Sequence, residues 1–272
     1  MRQKDYIYNH AKKDVKRGKI IFRRGQLTPF VILALIIVGV IFIFMFRDQI
    51  NNSVSGMIGG FSSQGFMKKC IEQGLREDIN LLGKQGGYSD IEGVGNILFN
   101  GEKYAYLCYT SEKYLTCVVQ QPLIKQNFEN SLKKLAEPKA EACVEKLKEE
   151  YRKRGYSVKS DISKAEVELN PGAVEIVFDS SLSATKGDVT EKFEKLEIKL
   201  ESEMYDLLYI AKSIIDFEST FGDSETTLYM QYYPDLKIEK TKLSEGTTIY
   251  KVSNVITKEE FRFASRSLAW SE

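Results

Sequence analysis

The sequence predicts an α+β protein in which an N-terminal transmembrane helix is followed by an extracytoplasmic domain of antiparallel strands and amphipathic helices. Residues 27–46 form a stretch of 20 residues without a charged side chain, and basic residues are concentrated before it. Beyond residue 65, apolar residues first recur at every fourth position, which predicts helices. Later they recur at every second position, which predicts strands with one buried and one solvated face.

The uncharged stretch 27–46 has the length that a membrane-spanning helix needs, since ~1.5 Å of rise per residue gives about 30 Å. Residues 1–26 hold nine Lys or Arg and two Asp, a net charge of +7. Because basic residues that flank a span stay on the cytoplasmic side, we expect a cytoplasmic tail at 1–26 beside the lipid bilayer of the cell membrane. Residues 47–272 are then outside. A buried core helix and a cleaved secretory signal are the alternatives for 27–46.

The junction before this stretch, residues 23–29, reads RRGQLTP. It resembles the class III signal of archaeal type IV prepilins, in which a peptidase cuts after the Gly of a basic leader. The resemblance implies a candidate processing site between Gly25 and Gln26 and, as an alternative function, a type IV pilin-like filament subunit. The fifth residue after the cut is Phe30, where bacterial-type pilins have Glu. The whole chain is also similar to archaeal single-pass membrane proteins of unknown function, and that similarity implies no activity.

The region outside the membrane divides into three parts by composition. Residues 47–65 are rich in Gly, Ser and Asn and form a juxtamembrane neck, either a continuation of the helix or a flexible linker. Asn51 begins an N-x-S sequon and is a candidate glycosylation site. Residues 66–155 are predicted as a helix-hairpin-helix region that holds four Cys, and residues 156–272 as a β-rich α+β domain.

The region 66–155 begins with a helix that starts at Phe66. Gly83 is predicted to follow the last residue of this helix. The buried stripe of the helix repeats at every fourth residue: Met67, Ile71, Leu75 and Ile79. A hairpin follows at 103–120, with a two-residue loop at Glu112 and Lys113. Residues 125–154 are helical again, and we expect Pro138 to open a second helix there because proline breaks a helix interior.

The hairpin also predicts the disulfides. Four cysteines allow three pairings. In the hairpin register, Cys108 faces Cys117 at a non-hydrogen-bonded pair with Cα atoms about 4.5 Å apart, which suits a disulfide. Cys70 then pairs with Cys143. Four buried free thiols are the alternative, and a zinc site is disfavoured because no C-x₂-C pair exists.

In the C-terminal half, alternating residues predict strands around 167–169, 174–178 and 196–200, with a turn at Asn170, Pro171 and Gly172 between the first two. An amphipathic helix is predicted over 202–221, with Phe217 on its broad apolar face. Residues 224–233 are predicted as a strand. Further strands are predicted near 236–238, 250–252 and 261–263.

Few residues suggest chemistry. The single histidine is His10 in the basic tail, so the outer region lacks a Ser-His-Asp triad, a Cys-His pair and any His-ligated metal site. No nucleotide-binding glycine loop occurs, and we predict no catalytic residue, no metal ligand and no cofactor. The chain is therefore predicted not to be an enzyme. A membrane-anchored hydrolase that uses a Ser-Lys or acid pair is the second alternative.

The aromatic residues favour a binding function. The chain has 15 Tyr and 15 Phe, and tyrosine is enriched at protein interfaces. Tyr106, Tyr109 and Tyr114 cluster in the predicted hairpin and are the candidate binding face, with cross-strand packing as the alternative. We expect a single-pass protein of binding, adhesion or envelope assembly. Its partner is predicted to be another envelope or surface protein, or a second copy in a homo-oligomer, and not nucleic acid.

Overall fold

The computed structural model describes residues 32–33, 35–38, 57–58, 61–160 and 162–269. The chain divides into two compact units, Met1–Asn52 and Ser53–Glu272. In the first unit the described residues, 32–33 and 35–38, are helical.

The prediction of a transmembrane helix is corrected by the structure. Among the described residues, no helix is both long enough and apolar enough to cross a membrane. Residues 27–46 other than 32–33 and 35–38 lie outside the described residues.

The second unit contains helices and strands in an α+β arrangement. The helices are α1 (Ser63–Lys84), α2 (Ile124–Lys153), α3 (Met204–Phe221) and α4 (Thr227–Tyr232). The strands are β1 (Met57–Ile58), β2 (Phe61–Ser62), β3 (Asn96–Phe99), β4 (Glu102–Tyr109), β5 (Val118–Val119), β6 (Ser157–Lys159), β7 (Ile162–Asn170), β8 (Ala173–Lys186), β9 (Val189–Glu201), β10 (Leu236–Lys242), β11 (Thr247–Asn254) and β12 (Glu260–Arg266).

The larger sheet is mixed, whereas antiparallel strands alone were predicted. Its order is β10-β11-β12-β4-β3, and β5 also pairs with β4. The β12–β4 pair is parallel. Parallel pairing needs a long crossover and not a hairpin, and here the crossover includes the whole second sheet and α3. Through this pair, strands from the predicted regions 66–155 and 156–272 share one sheet, and one hydrophobic core runs through both.

The second sheet is antiparallel and is built around the long strand β8. β6 and β7 pair with one edge of β8, and β9 pairs with the other. The turn predicted at Asn170, Pro171 and Gly172 is confirmed, since Asn170 pairs with Ala173. Gly172 has a φ of +72°, a conformation that glycine adopts without steric cost.

The helices join the two sheets. α1 contacts β9 and β12, whereas α3 contacts β4, β11 and β12 of the larger sheet and β7 and β8 of the second. The predicted stripe of α1 is confirmed: Met67, Ile71, Leu75 and Ile79 are all buried. Gly83 was predicted to follow the helix, but it lies inside α1. A Cβ atom on Gly83 would be 2.3 Å from the carbonyl oxygen of Glu260, so the absence of a side chain lets α1 approach β12.

Three other local predictions differ from the structure. Pro138 lies inside a single continuous helix, α2, rather than at the start of a second one. It is exposed, so the carbonyl left without a donor is solvated, while Ala136 and Ala140 on either side are buried and hold the helix in place. In the predicted neck, residues 57–58 and 61–62 form a small antiparallel hairpin.

The third difference concerns residues 224–233, where α4 replaces the predicted strand. The Glu225 carboxylate accepts a hydrogen bond from the Thr227 N–H at 2.8 Å, which satisfies a free donor at the start of this helix. The Tyr229 hydroxyl is hydrogen-bonded to Ser213 of α3 at 2.7 Å. These contacts outweigh the strand preference of the aromatic residues.

Candidate binding surface

Both disulfides have the pairing that the sequence predicts. Cys70 is bonded to Cys143, which ties α1 to α2, and Cys108 is bonded to Cys117. The hairpin register is nevertheless wrong by two residues, because Cys108 lies opposite Val119. The connection is a long loop, 110–117, and not the two residues Glu112 and Lys113.

This loop is held by the chain that follows β12. The Tyr114 N–H donates to the Leu268 carbonyl at 2.8 Å, and the Leu268 N–H donates to the Leu115 carbonyl at 3.0 Å. Because these backbone groups bond to residue 268, they do not extend the β4–β5 ladder. The register therefore depends on a segment more than a hundred residues away, which a local reading of the hairpin does not include.

The predicted tyrosine face is only partly formed. Tyr106 is half-buried and is hydrogen-bonded to Thr247 at 3.1 Å. Its ring lies 4.9 Å from that of Tyr109, which is exposed and has the Arg266 guanidinium 5.7 Å from its centroid. Tyr114 is 70% exposed in the loop, with a φ of +62°. Thus Tyr109 and Tyr114 face solvent, whereas Tyr106 belongs to the packing of the larger sheet.

A larger surface lies on α3 and α4, and the sequence analysis missed it. We call it the aromatic face, and its members are exposed or half-exposed large apolar side chains: Tyr205, Tyr209, Phe217, Phe221, Leu228, Tyr232 and Tyr233. Tyr232 is 79% exposed and Tyr209 is 63% exposed. Five of these side chains border a shallow groove of about 680 Å³: Phe217, Phe221, Leu228, Tyr232 and Tyr233.

Phe217 was predicted to be buried, and it is 47% exposed. The buried residues of α3 occupy one arc of the helix: Met204, Leu207, Leu208, Ala211, Ile214, Ile215 and Glu218. At about 100° per residue, Phe217 lies about 120° from the centre of that arc. Counting helical angle, rather than grouping apolar residues together, is the signal that identifies the aromatic face from sequence.

One end of the aromatic face is a cleft of about 380 Å³, which we call the tyrosine cleft. It is lined by three tyrosines, three acidic residues and apolar or amide side chains: Tyr205, Tyr209, Tyr233, Glu203, Asp206, Asp235, Leu207, Ile210, Pro234, Leu236 and Asn254. The described residues that line it include no Lys or Arg. Tyr233 borders both the cleft and the groove, so the two are adjacent.

The charges around the cleft are acidic. Burial raises the pKa of the Glu203 carboxyl, and the negative charges of Asp206, Glu259 and Asp235 raise it further. Glu259 is already used at the start of α3, where its carboxylate accepts hydrogen bonds from the Ser202 hydroxyl at 2.7 Å and the Glu203 N–H at 2.5 Å. This contact satisfies one of the free N–H groups at the helix end and places a further carboxylate near Glu203.

A buried polar group lies behind the aromatic face. Glu218 of α3 is 1% exposed, and its carboxyl accepts hydrogen bonds from the Tyr250 hydroxyl and, at 3.0 Å, from the Ser265 hydroxyl. The Ser265 oxygen is also 3.5 Å from Cys117 Sγ. Burial raises the pKa of Glu218, and the two hydrogen bonds oppose part of the rise. The network fixes α3 to the larger sheet near the second disulfide.

We expect this carboxyl to make stability fall as pH rises. The ordinary pKa of a glutamate carboxyl is 4.5, which we take for the unfolded chain, and the pKa of Glu218 in the folded protein is higher. Above pH 4.5 the folded state therefore binds more protons than the unfolded state. The loss of stability accumulates as pH rises through the folded pKa, at about 1.4 kcal/mol per pKa unit of difference.

Urea unfolding at pH 5 and pH 8 should show a smaller pH dependence of stability in Glu218→Gln than in the wild type. The exposed control Glu168→Gln should keep the wild-type dependence, and equal dependence in all three would contradict the prediction.

Several predicted sites are not part of this surface. Gly25, Gln26 and Asn51 lie outside the described residues. Within the described ranges, no group of three or more His, Cys, Asp or Glu is placed to hold a metal ion.

Comparisons with known proteins do not identify relatives of this chain. No protein-family model matches it, and neither a curated protein nor a solved structure gives a match.

Proposed function

We propose that this chain is an extracytoplasmic binding protein of adhesion or envelope assembly, without catalytic activity, and that it holds a protein partner on the aromatic face. The observation that carries the proposal is the aromatic face itself. Exposed apolar residues that occur singly need no explanation, but a contiguous patch on a folded domain is typical of an interaction site. Tyrosine and other aromatic residues are also the ones that contribute most energy in interfaces.

The aromatic face is pre-organised for binding. The rings of Tyr205 and Tyr209 are 5.5 Å apart, and those of Phe217 and Phe221 are 5.6 Å apart, so each ring restricts its neighbour. The hydrogen bond between Ser213 and Tyr229 joins α3 to α4. A partner therefore meets side chains that have already lost much of their freedom, which lowers the entropic cost of association.

The two disulfides support a location outside the cytoplasm. Disulfides persist in oxidising compartments and are rare where glutathione and thioredoxin keep thiols reduced. Cys70, Cys108, Cys117 and Cys143 are all paired. The binding surface would accordingly face the envelope or the cell exterior, where another surface protein is the partner.

Site-specific crosslinking in the source cells tests the proposal. A photoreactive benzoylphenylalanine at Tyr232 or Tyr209 should form one discrete adduct, either with another envelope protein or with a second copy. The same residue at Tyr114 is the matched control, because Tyr114 is an exposed tyrosine of the loop 110–117. Adding Phe221→Ala to the Tyr232 variant should reduce the adduct, since loss of a central aromatic contact costs about 2 kcal/mol, more than tenfold in Kd. Adducts at Tyr114 alone would transfer the binding function to the loop and overturn the proposal.

A further inference from the structure

The tyrosine cleft differs chemically from the rest of the aromatic face, and the difference indicates what binds there. Resting on the proposed function, we propose that the cleft receives a cationic side chain, Lys or Arg, from an apolar segment of the partner that docks on the aromatic face. The groove lined by Phe217 and Phe221 would take the apolar part of the same segment. The groove and the cleft meet at Tyr233, which borders both, so one segment that crosses this residue reaches both.

The aromatic rings of the cleft are open to a cation. A Lys or Arg group binds over a tyrosine ring within about 6 Å of its centroid. This protein uses that contact elsewhere, with Arg154 4.3 Å from the Phe61 centroid and Lys186 5.0 Å from the Tyr156 centroid. None of the cation–π contacts found in the described part of the chain involves a tyrosine of the cleft. In the cleft, the partner would supply the cation that Arg154 and Lys186 supply to Phe61 and Tyr156.

The carboxylates of the cleft are uncompensated. Farther along the aromatic face, Asp216 is paired with Lys212 at 2.6 Å, and Asp223 is paired with Lys240 and Lys242 at 2.5 and 2.8 Å. No ion pair in the described ranges includes Glu203, Asp206 or Asp235. Glu225 in the groove also has no ion pair in these ranges, but its carboxylate accepts a hydrogen bond from the Thr227 N–H. The cleft thus brings together three carboxylates without a cationic partner among the described residues, and an incoming cation would pair with them.

The cleft also has a suitable size. Its volume of about 380 Å³ is at the lower end of the roughly 300–1,000 Å³ that small-ligand sites occupy. Of its carboxylates, those of Asp206 and Asp235 belong to exposed residues and that of Glu203 to a half-exposed one. A long cationic side chain combines an apolar stem, which suits Leu207 and Ile210, with a charged end, which suits the carboxylates.

Fluorescent peptides test the inference on the full chain. The probe is a short peptide of Leu, Phe and Ser around one central Lys, with matched peptides that carry Arg, norleucine or Glu at that position. We expect the Lys and Arg peptides to bind about tenfold more tightly than the norleucine peptide, since a cation–π contact contributes about 1–2 kcal/mol. The Asp206→Asn/Asp235→Asn variant should weaken this preference, because the cation then keeps only its contact with the tyrosine rings. Asp216→Asn, on the same helix, should keep it.

The outcomes separate this inference from the proposed function. If the norleucine peptide binds as tightly as the Lys peptide and both are weakened by Tyr232→Ser, the aromatic face is a docking site and the cation inference is wrong. Failure of the Lys and Arg peptides to bind also overturns the inference, while crosslinking at Tyr232 decides the proposed function on its own. A thermal melt of each variant, unchanged from the wild type, shows that any loss of binding is local.

Discussion

Replacing Cys70 and Cys143 together by Ala is expected to lower the free energy of unfolding by about 4 kcal/mol. The disulfide closes a loop with a sequence separation of 73 residues, and in the chain-entropy model a long loop restricts the unfolded chain more than a short one. It also joins α1 to α2, and α1 contacts both sheets. Its loss should therefore affect the whole second unit and not a local segment.

The second disulfide is the matched control. Cys108 and Cys117 are separated by only nine residues, so Cys108→Ala/Cys117→Ala should cost about 2.5 kcal/mol by the same relation. Denaturant unfolding of the full chain, without reductant, measures both losses. Equal losses for the two variants, or a smaller loss for the Cys70–Cys143 variant, would contradict the expectation that loop length decides the effect.

Gly83→Ala is expected to destabilise the protein by about 2–3 kcal/mol, although alanine favours a helix over glycine. The new Cβ would be 2.3 Å from the Glu260 carbonyl oxygen and 2.9 Å from the Met204 methyl group. This oxygen belongs to the backbone of β12 where the strand packs against α1, so it moves only if α1 and β12 separate. That separation disturbs packing along the buried stripe of α1.

Gly74→Ala in the same helix provides the comparison. There the nearest atoms to a new Cβ belong to the flexible side chain of Lys139, at 3.1 Å. Because only the flexible stem of Lys139 has to shift, by a few tenths of an ångström, while its Nζ stays on Asp78 at 2.6 Å, we expect the helix propensity of alanine to stabilise the protein by up to about 1 kcal/mol. Thermal and chemical unfolding should therefore shift in opposite directions for the two variants. A neutral Gly83→Ala would show that α1 and β12 are not held at this distance in solution.

The parts of the fold that depend on short-range pattern follow from the sequence. The stripe of α1 is visible as a repeat at every fourth residue, and the β7–β8 turn is visible at Asn170, Pro171 and Gly172. The pairing of the cysteines was also predicted correctly, although the hairpin register behind it is wrong by two residues, because assigning Cys108 to Cys117 leaves Cys70 with Cys143. In each case, the residues that decide the structure are close in sequence or few in number.

The errors arise where distant segments decide the structure. The parallel β4–β12 pair joins residues more than 150 positions apart, and the register of the loop 110–117 depends on Leu268. The helix α4 depends on a contact with α3. None of these partners is visible in a local window of sequence. The transmembrane prediction relied on the uncharged length of 27–46 and on the basic residues before it, and no described helix is both long enough and apolar enough to cross a membrane.

The candidate surface that the structure shows lies elsewhere than the predicted tyrosine cluster. Tyrosines were expected to form the binding face, yet Tyr106 is taken up by packing and the larger surface is on α3 and α4. The tyrosine cleft combines residues from α3 with Tyr233 and Asp235, about thirty positions later. Only the folded chain brings these side chains together.

The position of β12 has a consequence for biogenesis. This strand lies in the middle of the larger sheet, between β11 and β4, yet it follows every other strand of that sheet along the chain. One edge of β4 stays unpaired until residue 266 has been synthesised, so the sheet is completed only after the second sheet and α3 have emerged. Such non-local pairing slows folding and exposes strand edges meanwhile, and truncated translation products ending before β12 would be substrates for quality-control proteases.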